Sequence, residues 1–257
     1  MTSPSRPAID SLGALRALLD MRTPVRAIVW QGRPAYGKLR MPLRTHERVL
    51  LGLTPLIRRW LAPGSAFTPR RYESDVPVEV QRLRAMQAQG WNVPRVLAAE
   101  EKVFVTEDVG PTLVALLSSE EDADVRTAWL LEAARELAAF HTAGQWHGAA
   151  QARNVVRTAD GRLGRIDFET ALDERLPLPL LQAFDAALFF TSIARTRDAG
   201  ALPGIARAYV SGAPAEARLA LQRGLPLLRR LAHSRLLRRL APKEIERMRI
   251  LASLNLA

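Results

Sequence analysis

Cysteine is absent from this chain of 257 residues. Its absence excludes disulfide bonds, zinc sites built from thiolates, and cysteine nucleophiles. The sequence also lacks an apolar run long enough to span a bilayer, and acidic residues among its first twenty positions argue against a signal peptide. Because 48% of the residues are hydrophobic, we expect a packed globular protein of the cytoplasm, with peripheral association at the inner membrane as an alternative.

Lysine is scarce, occurring only at Lys38, Lys102 and Lys243, so arginine carries most of the net charge of +11. The charge is unevenly distributed, because the chain from Ala213 onward has ten basic and only three acidic residues. This basic C-terminal region favours an anionic partner such as lipid headgroups, lipopolysaccharide or, with less support, RNA. The alternative is a solvated basic surface that has no partner.

The first half of the chain mixes predicted strands with predicted helices. Apolar segments on either side of Gly32-Arg33-Pro34 predict a β-hairpin that turns at these three residues. Apolar residues at helical spacing predict helices, and shorter apolar runs predict further strands. The predicted strands are 25–29, 36–39, 95–98 and 102–107, the helices 11–20, 45–61 and 78–90, and a polar connector covers 65–75.

The second half is predicted to be mainly helical. Gly110-Pro111 interrupts the pattern, which divides the chain into an N-terminal extension (1–24), a mixed domain (25–110) and a helical domain (111–257). A mixed half followed by a helical half predicts an α+β fold. The predicted helices of the second half are 112–118, 122–141, 178–194 and 224–240, with a last helix that starts at Pro242.

The stretch FHTAGQWHGAAQARNVVRTADGRLGRIDFE, residues 140–169, is the most informative part of the sequence. A helix ends at Gly144, a loop runs from His147 to Asn154, and two short strands turn at Asp160-Gly161. Asn154 and Asp167 therefore lie at opposite ends of one hairpin. A carboxamide oxygen and a carboxylate in this arrangement suit a Mg²⁺ ion that also holds phosphates.

These features resemble the protein-kinase-like superfamily, whose catalytic loop reads H-x-D-x-x-x-x-N and is followed by a metal-binding Asp. HGAAQARN supplies His147 and Asn154 at that spacing, and IDFE supplies Asp167. The chain is most similar to small bacterial branches: lipopolysaccharide-core (Kdo/WaaP-type) kinases, RIO-like proteins and aminoglycoside-phosphotransferase-like proteins. The resemblance covers about residues 25 to 200 and implies a two-lobed protein-kinase-like fold.

The resemblance also implies a role for individual residues. Asn154 and Asp167 would bind Mg²⁺, and Lys38 would anchor the phosphates of ATP, with Arg33, Arg70 or Arg71 as alternatives. The lysine would pair with a carboxylate on the helix near residue 80, and the segment 107–110 would bind adenine through its backbone. Glu79 would be that carboxylate, and Glu107 and Val109 would belong to the adenine segment. His147 would hold the loop in place, and Asp185 would be the buried acid that hydrogen-bonds the loop backbone.

The sequence departs from the family pattern in three ways. No G-x-G-x-x-G loop is present, and no activation segment of normal length separates Asp167 from the helix that contains Asp185. Ala149 occupies the position of the catalytic base, and a methyl group cannot accept a proton. Either Gln151, Glu169 or Asp173 substitutes for that base, or the protein binds nucleotide without efficient transfer.

The sequence thus supports three function classes. The first is an ATP/Mg-dependent phosphotransferase that acts on lipopolysaccharide or another anionic cell-envelope substrate. The second is a pseudokinase that binds nucleotide or a partner. The third is an RNA- or membrane-binding helical protein whose kinase-like pattern is incidental.

Overall fold

The computed structural model describes residues 6–40, 76–168, 176–233 and 242–254. These residues form a mixed α+β structure with eight α-helices, a five-stranded sheet and a separate two-stranded sheet. They divide into two compact units. The first unit contains residues 6–40, 76–111 and 156–168, and the second contains 112–155, 176–233 and 242–254.

A five-stranded sheet forms the centre of the first unit, with the strand order β1-β2-β3-β5-β4. Strand β1 runs parallel to β2, and the other neighbours are antiparallel. The helix α1 packs on one face, and Ser11 caps its N-terminus by accepting a hydrogen bond from the Ala14 backbone. The elements of the sheet and its helices are β1 Ala8–Ile9, α1 Leu12–Leu18, β2 Val25–Trp30, β3 Arg33–Leu39, α2 Val76–Ala88, β4 Val96–Ala99 and β5 Val103–Glu107.

The hairpin between β2 and β3 turns at Gln31-Gly32, which begins one residue earlier than predicted. Gln31 and Gly32 both have positive φ angles, 47° and 80°, and Trp30 pairs directly with Arg33. The predicted turn at Gly32-Arg33-Pro34 was therefore wrong. A two-residue turn with both φ angles positive matches the right-handed twist of the strands, so the strand resumes immediately after Gly32.

The core of the first unit lies between α1 and the sheet. Leu15 and Leu19 are buried against Ile28, Trp30 and Val105. The predicted helix over residues 11–20 is confirmed, since its apolar face makes this contact. The predicted helix 45–61 and the connector 65–75 lie outside the described residues.

The second unit is built from helices around the apolar α5, whose predicted span of 178–194 is confirmed. Asp185 lies in this helix and is fully buried. The short hairpin of β6 and β7 separates α4 from α5 in the sequence. The elements from residue 112 onward are α3 Leu113–Ser119, α4 Ala123–Thr142, a 3₁₀ turn Ala152–Asn154, β6 Val155–Arg157, β7 Leu163–Arg165, α5 Leu178–Ile193, α6 Leu202–Gly212, α7 Ala215–Ala232 and α8 Pro242–Ser253.

The helix predicted at 224–240 begins nine residues earlier, at Ala215, and Pro226 lies inside it. The physical reason is the burial of Ala217, Leu221 and Leu225, which are spaced four residues apart and form one apolar stripe before Pro226. The predicted last helix does begin at Pro242. No helix in the described ranges combines the length and apolarity needed to cross a membrane.

Candidate active site

Lys38 lies near the end of β3, on the face of the sheet opposite α1. Residues two apart in a strand share a face, and Ala35 and Gly37 are both buried. A Cβ atom on Gly37 would collide with the Leu15 side chain of α1, so the odd-numbered positions face α1. The Lys38 ammonium group lies on the other side, 5.5 Å from the centroid of the Phe104 ring.

Two carboxylates hold the ammonium group of Lys38. Its Nζ atom donates to both Glu79 oxygens at 2.8 and 3.0 Å and to Asp167 Oδ1 at 2.5 Å. The ion pair between Lys38 and Glu79 that the resemblance implied is thus present, although 41 positions separate the two residues. Arg33 lies exposed at the start of β3, and Arg70 and Arg71 lie outside the described residues.

The surroundings of Lys38 keep it charged. Burial by itself lowers the pKa of Lys38, but the negative charges and hydrogen bonds of Glu79 and Asp167 outweigh burial and raise the pKa above its usual value. The group of three side chains therefore carries a formal net charge of −1 at neutral pH. The two carboxylates of this group are oxygen ligands of the kind that Mg²⁺ prefers.

Asp167 is positioned by the hairpin of β6 and β7, which is fixed to Asn92 in the loop after α2. The Asn92 amide donates to Thr158 Oγ1 at 3.2 Å and to the Leu163 carbonyl at 3.0 Å. The Arg165 N–H donates to the Asn92 carbonyl at 3.0 Å. A Cβ atom on Gly164 would lie only 2.6 Å from that carbonyl oxygen, so this contact requires glycine.

The backbone of Asp167 is left-handed, with a φ of 64°. Aspartate tolerates this conformation better than most residues, and such strain is often found at functional sites. The next residue, Phe168, is buried. Arg82 fixes it, since the guanidinium donates to the Phe168 carbonyl at 3.0 Å and lies 5.4 Å from the ring centroid.

The segment after β5 that the resemblance assigned to adenine is held through its acidic side chains. Glu107 accepts hydrogen bonds from the Arg95 backbone at 3.0 Å and from Arg95 Nε at 2.7 Å. Asp108 binds Arg6 at 2.7 Å. Among the hydrogen bonds of the described residues, none uses the backbone N–H or carbonyl of Val109.

The loop 147–154 belongs to the second unit and is held by Asp185. The Asp185 carboxylate accepts from the His147 N–H at 2.5 Å and from the Gly148 N–H at 2.8 Å. The predicted contact between this buried acid and the loop backbone is confirmed. His147 is fully buried, and its Nδ1 accepts from the Ala149 N–H at 3.1 Å, as the predicted bracing role requires.

His141 and Tyr209 complete the surroundings of Asp185, and the sequence did not indicate them. His141 Nε2 lies 3.4 Å from Asp185 Oδ2, and its Nδ1 lies 2.8 Å from the Tyr209 hydroxyl. Burial by itself raises the pKa of Asp185, but the hydrogen bonds and charge of His141 and His147 outweigh it and lower the pKa. Burial and the charge of Asp185 raise the pKa of Tyr209.

Asn154 presents its amide oxygen in a defined direction. Its Nδ2 donates to the Ala149 carbonyl at 2.8 Å, so Oδ1 points away from that carbonyl, and no hydrogen bond of the described residues engages it. Gln151 closes the same turn, with its N–H donating to the Ala149 carbonyl at 2.7 Å and its carbonyl accepting from Asn154 at 2.8 Å. The loop is therefore fully formed although Ala149 provides no carboxylate.

The chemistry of the candidate metal ligands fits Mg²⁺, which prefers carboxylate and amide oxygens. Asp167 belongs to the first unit and Asn154 to the second. In the described part of the chain, no three acidic or histidine side chains form a cluster that could hold a metal by itself. Glu169 and Asp173, which were predicted as possible substitutes for the catalytic base, lie outside the described residues.

Comparison with known proteins gives no family for this chain: no protein-family model matches it, and no curated protein matches it.

Proposed function

We propose that the protein is an ATP/Mg-dependent phosphotransferase of the kinase-like type. One observation carries this proposal: the ammonium group of Lys38 lies between the carboxylates of Glu79 and Asp167. A phosphate oxygen can replace one of the two carboxylates as a partner of the ammonium group, while the other carboxylate still holds it. Glu79 then keeps Lys38 in position, because it is the more buried of the two acids.

We expect nucleotide binding at this site to use a cation. Asp167 is a carboxylate, and a bare triphosphate that approached it would meet a like charge. Mg²⁺ supplies the compensating charge and neutralises the phosphates during transfer. Asp167 is the ligand that this unit offers to the ion, and Asn154 is the second ligand that the resemblance implies.

The adenine ring is assigned to the segment from Glu107 to Gly110. The salt bridge of Asp108 to Arg6 and the contacts of Glu107 with Arg95 fix this segment without using the Val109 backbone. A free N–H and carbonyl in an ordered strand end are suitable groups for the edge of a purine. Lipopolysaccharide or another anionic cell-envelope molecule is the proposed acceptor class, which the net charge of +11 supports.

Nucleotide binding is tested by titrating ATP with and without Mg²⁺ into the wild type and two variants, Lys38→Met and Asp167→Ala. We expect the melting temperature of the wild type to rise only when ATP and Mg²⁺ are both present. We expect the melting temperatures of the two variants to stay unchanged. Lys102→Met is the matched control, since Lys102 is exposed and lies immediately before β5. Equal responses of the wild type and Lys38→Met would contradict the proposal.

A second candidate function, nucleotide binding without efficient transfer, is favoured by Ala149. Transfer forms a bond between an acceptor oxygen and the γ-phosphorus, breaks the bond to the β-phosphate oxygen, and releases the acceptor proton. No carboxylate at position 149 receives that proton. Since general-base catalysis contributes about 10² to 10⁴ in rate, Ala149→Asp separates the candidates.

Under the phosphotransferase proposal, the wild type transfers ³²P from ATP to an envelope extract, and Ala149→Asp does not accelerate the reaction. Under the second candidate, the wild type binds ATP and transfers nothing, and Ala149→Asp gains transfer. The Ala149→Asn variant controls for side-chain size.

A further inference from the structure

A pocket of about 300 Å³ lies in the second unit beside the loop 147–154. One wall comes from that loop through Gln151 and Arg153, and another from the C-terminal end of α5 and the turn after it through Arg195. Val114 and Leu188 contribute apolar side chains to the lining. Its size is at the lower end of the range for small-molecule sites.

The charged side chains that line this pocket are all positive. Arg153 and Arg195 both line it, and none of the described lining residues is acidic. In the described part of the chain, neither guanidinium takes part in an ion pair, whereas Arg95, Arg126 and Arg162 each bind a carboxylate. The pocket therefore concentrates two uncompensated positive charges next to apolar walls, where electrostatic attraction is stronger than in open solvent.

The hydroxyl groups that line the pocket are engaged in holding the protein together. Thr191 donates to the Ala187 carbonyl at 2.8 Å, and Thr196 donates to the Ile193 carbonyl at 2.7 Å. Ser192 accepts from the Ala152 N–H at 3.0 Å and donates to the Phe189 carbonyl at 2.7 Å. The donors left for a ligand are the two guanidinium groups and the Gln151 amide.

We propose that this pocket binds the phosphate monoester group of an acceptor substrate. Guanidinium groups present paired N–H donors that match phosphate oxygens, which is why arginine is preferred at phosphate sites. Gln151 lies two residues after Ala149, so the phosphate would hold the acceptor beside the loop at which transfer is proposed. The role as an acceptor site rests on the proposed phosphotransferase function, but the binding of phosphate does not.

The test uses three probes at constant ionic strength: inorganic phosphate, glucose 6-phosphate, and vesicles that contain phosphatidate. Binding is measured to the wild type, to the double variant Arg153→Ala/Arg195→Ala, and to Arg207→Ala. Arg207 is the matched control, because it is exposed on α6 and does not line the pocket. All the substituted side chains are exposed, so the variants are expected to fold.

We expect glucose 6-phosphate to bind the wild type and Arg207→Ala equally, and the double variant at least about tenfold more weakly, since two charge-assisted contacts are lost. Binding of phosphatidate vesicles alone, with the same dependence on both arginines, identifies the phosphate as a lipid headgroup and also supports the proposal. The proposal is overturned if no probe binds the wild type, or if the double variant and Arg207→Ala bind the probes alike.

The Lys38→Met variant separates this inference from the proposed function. We expect it to lose ATP binding and to bind glucose 6-phosphate as the wild type does. If ATP binds neither protein while the sugar phosphate depends on Arg153 and Arg195, the proposed function fails and the phosphate site stands. If Lys38→Met abolishes the binding of both ATP and glucose 6-phosphate, the sugar phosphate is bound at Lys38 and the assignment of the pocket is wrong.

Discussion

At the scale of single residues, Lys38 joins two acidic side chains of the first unit, Glu79 and Asp167. Replacing it with Met leaves two carboxylates facing each other without the cation between them. We expect the free energy of unfolding to fall by on the order of 2 kcal/mol, below the value for fully buried pairs because Asp167 is 35% exposed. Urea unfolding of Lys38→Met, Glu79→Gln and the double variant measures the coupling between them.

We expect the effects of Lys38→Met and Glu79→Gln on the free energy of unfolding to be non-additive. Glu79→Gln in the Lys38→Met background should recover part of the lost stability, because it removes one of the two repelling charges. Additive losses in the double variant would show that Lys38 and Glu79 do not interact in solution.

Asp185 gives a prediction about pH. Its pKa in the folded protein is lowered from the ordinary value of 3.8. The ionised carboxylate therefore contributes stability above pH 3.8, and this contribution is lost as the pH falls through the lower pKa of the folded state. Asp185→Asn should cost about 3 kcal/mol at pH 7, since an amide cannot accept both backbone N–H groups. The difference from the wild type should shrink below pH 3.8.

Denaturant unfolding of both proteins from pH 7 to pH 3 measures this difference. Asp10→Asn, at an exposed position of the other unit, controls for the loss of a negative charge. A constant difference across the pH range would mean that the ionised carboxylate is not what holds the loop.

The sequence allowed contacts to be predicted for those residues whose partners the family resemblance implies. Lys38, Glu79 and Asp185 have such partners in the structure, whereas their roles toward nucleotide stay predictions. Arg82, Asn92 and Tyr209 could not be predicted, because no spacing links them to their partners. Arg82, for example, lies 86 positions from Phe168, and its only signal is that it follows Glu79 by one helical turn.

At the scale of secondary structure elements, the hairpin of β6 and β7 links Asn92 to Asp167. Asn92 holds the hairpin through hydrogen bonds, and Asp167 lies two residues after the end of β7. Gly164→Ala should destabilise the protein by about 1–3 kcal/mol, because the added methyl group meets the Asn92 carbonyl in a packed contact. The displaced hairpin should also weaken Mg-ATP binding. Gly13→Ala in α1, where nothing lies within 4 Å of the new methyl group, should be neutral or slightly stabilising.

Thermal unfolding and ATP titration of both variants check this prediction. Loss of stability with unchanged ATP affinity would show that the hairpin does not set the position of Asp167.

Element types were easier to predict than their limits. Periodicity located α1, α2 and α4 from apolar residues at helical spacing, and α5 was located because it is apolar on most of its faces. Periodicity misplaced the start of α7 at about Gly224, although the buried stripe of Ala217, Leu221 and Leu225 begins seven residues earlier. The predicted α+β class is confirmed, and the two-lobed kinase-like arrangement stays a prediction.

At the scale of the whole molecule, the net charge of +11 predicts salt-dependent binding to anionic surfaces. The reversal of Arg223, Arg230 and Arg249 to Glu should weaken sedimentation with anionic vesicles at low salt. The matched control reverses Arg22, Arg26 and Arg33, which are also exposed and give the same net charge. Equal losses in the two variants would assign the effect to net charge rather than to the basic C-terminal region.

The division of the chain into units has a consequence for biosynthesis. Residues 156–168 belong to the first unit, although the residues from 112 to 155 that precede them belong to the second. A ribosome must therefore synthesise the chain as far as Asp167 before Asn92 meets its hairpin and Lys38 meets Asp167. During translation the five-stranded sheet is synthesised before residues 156–168, which complete its unit. A fragment ending at Pro111 would therefore contain Lys38 and Glu79 but lack part of the first unit.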